Sequence, residues 1–169
     1  IPWSLVGSEM CIRDRFDRIR AATDMRNEGY DILIMARTDA NHTHGLSEAI
    51  SRSQKFYELG ADIMFIEAPK NKEEMRTICK EVPGDKIANI VEGGITPNLS
   101  MKELSEIGYK LAVYPLTVMS SAMKAMTNSL NLLMKDEDRS GLLLDFSDLR
   151  QKIGFNDYYE ISSKYETSK

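Results

Sequence analysis

The sequence is poor in the residues that build metal clusters, disulfide scaffolds and membrane spans. It holds two cysteines, Cys11 and Cys79, and two histidines, His42 and His44. Two cysteines form neither a disulfide framework nor a CxxC pair, and their scarcity favours a reducing, intracellular setting. No stretch approaches the roughly 18 apolar residues that a membrane span needs. Basic residues are not in excess, and a formal charge of −4 gives no field for nucleic acid. No segment is of low complexity and none reads as an inter-domain linker. What is present is a chain of 169 residues, 42% hydrophobic and 28% charged, the size and balance of one compact globular domain. Five of its ten methionines (Met101, Met119, Met123, Met126 and Met134) fall from residue 101 onward, which suggests adaptable packing there.

Residues 1–15, IPWSLVGSEMCIRDR, show neither strand alternation nor a helical stripe. They lack the charged start and apolar core of a signal peptide. The segment is expected to be foreign to the domain, or an irregular N-terminal arm, with Trp3 making few contacts.

A repeating pattern begins at residue 16. FDRIRAATDMR at 16–26 places Phe16, Ile19, Ala22 and Met25 near one helical face, and Gly29 ends the helix. ILIMA at 32–36 is an apolar run of the kind found in strands buried on both faces. A helix follows at 46–59, with Ala49, Ile50, Phe56 and Leu59 inward, then a strand at 61–67. A third helix at 71–82 has Asn71 as its N-cap, and KIANIV at 86–91 is the next strand. Ser100 caps a helix closed by Gly108, and KLAVYPL at 110–116 is the fourth strand. The alternation predicts an α/β fold of parallel βα units, strands neighbouring in chain order. It does not separate a barrel from an open sheet, but in both the site lies at the C-terminal strand ends. A long Met- and Leu-rich helix at 117–134 is expected to be buried on several sides. The tail reads as two short amphipathic helices anchored by Tyr158, Tyr159, Ile161 and Tyr165. Tyr158 and Tyr159 suit a core or a subunit contact.

Three strand-end signatures occur in order: MARTDA at 35–40, FIEAP at 65–69 and ANIVEGGITP at 88–97. With YPL at 114–116 and NDYYE at 156–160, this set resembles the isocitrate lyase/phosphoenolpyruvate mutase superfamily, over roughly residues 16–166. The resemblance implies a (β/α)8 barrel with a helix exchanged between subunits. It implies Mg²⁺-dependent cleavage or rearrangement of small 2-oxo or 2-hydroxy acids, as in 2-methylisocitrate lyase, dimethylmalate lyase, oxaloacetate decarboxylase and the phosphonomutases. By it, residues 16–116 are strands five to eight of the barrel and 117–169 a C-terminal helical segment. The family's acidic Mg²⁺ ligands and its Lys-Lys-Cys-Gly-His loop would belong to a first half missing here. Cys11, flanked by Met10 and Ile12, does not match that loop, so no metal ligand is assigned. The parent would be a cytoplasmic homo-oligomer, a dimer or tetramer, acting on a small carboxylic acid and binding neither nucleic acid nor membrane.

The same resemblance gives roles to individual residues, each beside a plainer reading. Arg37 would clamp a substrate carboxylate, as a planar guanidinium can, or pair with Asp39 to shape its loop. Glu67 would orient the reacting carbon acid as the catalytic carboxylate, or make a salt bridge, with Arg37 as one partner. Asn89 would donate to a carboxylate or enolate oxygen, or bond its own loop. Glu92, Gly93 and Gly94 would approach the substrate closely, or simply form a tight loop. The VEGG sequence leans toward the mutase and decarboxylase branches. His42 and His44 are read as a solvated loop, since two ligands without a third are weak as a metal site. Two functions follow as expectations: a fragment of a carbon–carbon lyase or mutase, or an inactive half-barrel that only associates. The chain alone is expected to show no Mg²⁺-dependent turnover.

Overall fold

The computed structural model describes the backbone of residues 9–165 and the side chains of 14–165. The expectation for Trp3 and the surroundings of Cys11 lie outside these. Helix α1 spans Glu9–Asn27 and starts earlier than the periodicity indicated. The chain continues as β1 (Met35–Thr38), a short α2 (Ala40–Thr43) inside the expected loop, α3 (Leu46–Glu58), β2 (Ile63–Ile66) and α4 (Lys72–Glu81). Then come β3 (Asp85–Asn89), α5 (Met101–Ile107), β4 (Leu111–Val113), α6 (Thr117–Met134), α7 (Phe146–Lys152) and α8 (Phe155–Ser163). The described residues form two compact units, one ending at Val118 and one beginning at Met119.

The first unit is an α/β fold. Its four strands form one parallel sheet in the order β1-β2-β3-β4, as the alternation predicted. Side chains alternate across a strand, so the register sorts them into two faces. One face carries Ala36, Met64, Ile66, Ala88 and Ile90, all buried against helices. Ala49, Ile50 and Phe56 of α3 and Ile78 of α4 supply its cover, with Ile19 of α1 beneath, while Met75 of α4, Leu104 of α5 and Tyr109 form a second buried cluster around Ala88 and Ile90. Phe16 meets Phe56 edge-on at 5.7 Å between ring centroids. Helix ends are fixed by the residues expected: Asn71 accepts from the Glu74 amide at 2.9 Å, and Gly108 takes the left-handed conformation at φ 115°.

Two burial expectations fail. β1 is not buried on both faces: Ala36 and Thr38 point into the helix layer, whereas Met35 is 51% exposed and Leu33 ahead of it 75%. An apolar run states what a strand could bury on each side, and among the described residues helices cover one side only. The second failure lies in Met119–Lys169. α6 spans the expected residues but none of them is buried, and Tyr158, Tyr159, Ile161 and Tyr165 are all exposed. The aromatic side chains pack locally instead. Tyr159 stacks on Phe155, meets Tyr158 edge-on and lies under the Arg150 guanidinium. Among the described residues no helix is long and apolar enough to cross a membrane.

Between α4 and α5 an exposed carboxylate is unusually well held. Lys72 Nζ donates to Glu103 Oε1 at 2.7 Å, while the Ser100 amide and hydroxyl donate to Oε2. Together these bonds, the lysine first, bring the Glu103 pKa from 4.5 down to about 2. A carboxyl depressed by folding stabilises above its unfolded pKa and loses that contribution as pH falls toward the folded value. Urea midpoints of the wild type should therefore fall more steeply than those of Glu103→Gln as pH drops from 4.5 to about 2, the two curves converging at the acid end. Parallel curves would show that the ion pair and cap do not contribute.

Candidate functional site

Parallel strands bring their C-terminal ends to one edge of the sheet. Arg37 lies near the end of β1, Glu67 directly follows β2, and Asn89 ends β3. Register aligns Arg37 with Phe65, two residues before Glu67, and Asn89 with Val113, so all three belong to the face opposite the helix layer. Their side chains meet there. Asn89 Nδ2 donates to Glu67 Oε1 at 3.3 Å, and Arg37 Nη2 lies 3.5 Å from Glu67 Oε2.

Each member also makes the plainer contact foreseen for it. Arg37 Nε donates to Asp39 Oδ1 at 2.8 Å, and Glu67 pairs with Arg37. Phe65 adds a partner that the sequence did not single out: the Arg37 guanidinium lies over its ring, 5.0 Å from the centroid. The outer edge of β1 is engaged too, because Arg15 Nη2 donates to the Arg37 carbonyl at 2.8 Å. Of the five buried side-chain atoms without a hydrogen-bond partner among the described residues, two lie in this cluster, Glu67 Oε2 and Asn89 Oδ1; the others are Asn41 Oδ1, Arg52 Nη2 and Ser53 Oγ. The Arg37–Glu67 contact is thus an ion pair by distance but not a formed hydrogen bond, and both groups keep capacity for a ligand.

Glu92, Gly93 and Gly94 lie beyond the end of β3, and no hydrogen bond joins Glu92 to the three residues above. Thr117, the first residue of α6, donates its hydroxyl to Glu92 Oε1 at 2.6 Å, and that bond holds the exposed carboxyl below its usual pKa. Gly93 has φ 80°, and a Cβ on Gly94 would sit 3.0 Å from the Val91 carbonyl oxygen. The glycines therefore build a tight turn, closed by the Gly94 amide donating to Val91 at 2.9 Å. His42 lies in α2 and His44 just after it, its Nδ1 2.7 Å from the Thr43 hydroxyl. Among the described residues no three His, Cys, Asp or Glu side chains converge as metal ligands. Asp39 and Glu67 flank a guanidinium, which does not suit a divalent cation, so these residues alone do not fit Mg²⁺. Burial pushes the Cys79 thiol up to about 11, partly offset by Lys86, which leaves it protonated and inert as a nucleophile.

A family model described as phosphoenolpyruvate phosphomutase matches residues 7–134. The 2,3-dimethylmalate lyase of Eubacterium barkeri is 38% identical over 169 residues, covering 98% of this chain and 58% of that protein. The 2-methylisocitrate lyase of Aeropyrum pernix is 35% identical over 163 residues, covering 90% of this chain and 51% of that one. A crystal structure of a 2,3-dimethylmalate lyase superposes with a TM-score of 0.77 at 29% identity, covering 89% of this chain and 55% of that chain. The chain spans about half the length of the curated relatives it matches.

The geometry separates binding from stability at Arg37. Its side chain is 45% exposed, and exposed ion pairs contribute only about 0–1 kcal/mol. Arg37→Ala should accordingly shift the unfolding free energy, read from urea titration, by no more than about 1 kcal/mol. A loss above about 3 kcal/mol, the range for breaking a buried pair, would mark Arg37 as a structural residue.

Proposed function

The chain belongs to the phosphoenolpyruvate phosphomutase family, and from that premise we propose that it carries the carboxylate-recognition site of a lyase or mutase acting on small 2-hydroxy or 2-oxo acids. The observation that carries this reading is the meeting of Arg37, Glu67 and Asn89 on one strand-end face, with Glu67 Oε2 and Asn89 Oδ1 buried and unpartnered. Arg37 keeps its remaining guanidinium hydrogens free of Asp39 and offers them to a substrate carboxylate. Asn89 Nδ2 can turn from Glu67 to an oxygen on which charge develops. Glu67 Oε2 accepts the hydrogen of a 2-hydroxyl group. As that proton passes to Glu67, the C–O bond becomes a carbonyl, the adjacent C–C bond breaks, and its electron pair is held as an enolate. The relatives named as lyases of dimethylmalate and methylisocitrate support a substrate of this class.

Charge argues for a further group. Arg37, Asp39 and Glu67 sum to −1, so added positive charge nearby would tighten the hold on an anionic substrate. In this reading Mg²⁺ supplies it, held by residues outside this chain, and no step is assigned to it here. In the same reading Met35–Val113 form four strands of an eight-stranded barrel in a cytoplasmic, homo-oligomeric parent; the relatives, about twice as long, support the greater length alone. The exposure of Met35, Leu111 and Val113 favours a second use of the same sheet, association with another chain through its uncovered face.

Calorimetric titration of the purified chain with oxalate tests the binding step. The expected result is saturable binding that Arg37→Ala weakens at least about tenfold, since hydrogen bonds to charged groups are worth about 1.5–3 kcal/mol. Pyruvate release from oxaloacetate, 2-methylisocitrate and 2,3-dimethylmalate should stay at the metal-only blank. Turnover above that blank, abolished in Arg37→Ala, would show that this chain is a complete enzyme.

A further inference from the structure

We propose that Asn41 is a positioning residue for the candidate site, holding Glu67 in place through the backbone of Ala68; the inference rests on the functional reading above only for its purpose. Asn41 stands in α2, just after the strand that carries Arg37, and is 1% exposed. Its Nδ2 donates to the Ala68 carbonyl at 3.0 Å and to Glu74 Oε2 at 3.2 Å. Both neighbours are acceptors, so only the amide nitrogen can face them. Glu74 Oε2 also accepts from the Lys70 amide at 2.8 Å, and Asn71 caps the Glu74 amide. One buried side chain therefore ties the loop after β1 to the loop after β2 and to the start of α4.

Ala68 is where this tie acts on the site. It has φ 54°, a left-handed conformation that costs a residue with a Cβ about 1–2 kcal/mol. It directly follows Glu67, whose amide donates to the Thr38 carbonyl at 3.0 Å. The backbone of Glu67 is thus held by the sheet on one side and by a strained residue on the other. The Asn41 bond offsets that strain and fixes the plane of the next peptide. If Ala68 relaxed to an ordinary conformation, the chain leaving Glu67 would swing, and Oε1 would part from Asn89 Nδ2. The Asn41 side chain hydrogen-bonds to neither Arg37 nor Glu67, which makes its role positional.

The test uses the whole chain and needs no ligand. In ¹H–¹⁵N spectra the Asn89 side-chain amide reports its bond to Glu67. Asn41→Ala should move that resonance toward the free-amide position and speed its exchange with water about tenfold, the equivalent of about 1.4 kcal/mol for the lost bond and released strain. Adding Ala68→Gly, which takes the left-handed conformation without strain, should bring the resonance most of the way back. A purely structural role of Asn41 predicts no such rescue. Should Asn41→Ala fail to fold, Asn41→Ser, which keeps a polar group but is too short to reach Ala68, gives the same reading. An unshifted Asn89 resonance in the folded variant, or no return with Ala68→Gly, overturns the proposal. In parallel, oxalate affinity should drop about tenfold in Asn41→Ala. Absence of oxalate binding to the wild type would count against the functional reading, while the Asn89 resonance still decides the role of Asn41.

Discussion

The hydrogen-bond ladder that pairs Met35 with Ile63, Met64 with Lys86 and Asn89 with Val113 points all four strands the same way. Everything at the site depends on that ladder. Shared direction brings the three strand ends to one edge, and the two-residue period of the strand brings Arg37, Glu67 and Asn89 to one face. A slip of one residue between β1 and β2 would turn Arg37 into the helix layer against Met64 and Phe56. The ladder is in turn held by what lies behind it. Ala36, Met64, Ile66, Ala88 and Ile90 are buried under the helices, so register and core are one constraint.

Against this scaffold the site is electrostatically incomplete. Glu67 is part-buried, with one oxygen bonded to Asn89 and the other facing Arg37 without a hydrogen bond. Arg37 lies over the Phe65 ring and is held at Nε by Asp39, which orients its remaining donors. Buried polar atoms left unpartnered are costly in a finished core and ordinary in a site that receives a ligand. Structural pairing and ligand binding are therefore not rival readings of Arg37 and Glu67. The pairings observed hold the groups where a carboxylate would meet them.

The helix–strand alternation was legible because each element announces itself locally: apolar runs at 32–36, 61–67 and 86–91, caps at Asn71 and Ser100, and stops at Gly29 and Gly108. The site was legible through position, since MARTDA, FIEAP and ANIVEGG each close a strand. What was not legible depends on contacts between segments distant in sequence. Phe65 reads as one more apolar strand residue until the register sets it opposite Arg37. Asn41 reads as a polar loop residue until α2 folds it inward onto Ala68. The exposure of α6 and of Tyr158 was missed for a related reason. Periodicity shows which face a helix can bury, whereas burial itself requires a covering surface, which these described residues do not supply.

The central claim is that Arg37, Glu67 and Asn89 form one carboxylate-recognition site. A crystal structure of the chain grown with oxalate tests it most directly. Oxalate is expected on the strand-end face, one carboxylate within hydrogen-bond distance of the Arg37 guanidinium and another oxygen on Asn89 Nδ2, which has turned from Glu67. Oxalate bound elsewhere, or an unaltered Arg37–Glu67–Asn89 cluster at saturating oxalate, would contradict it.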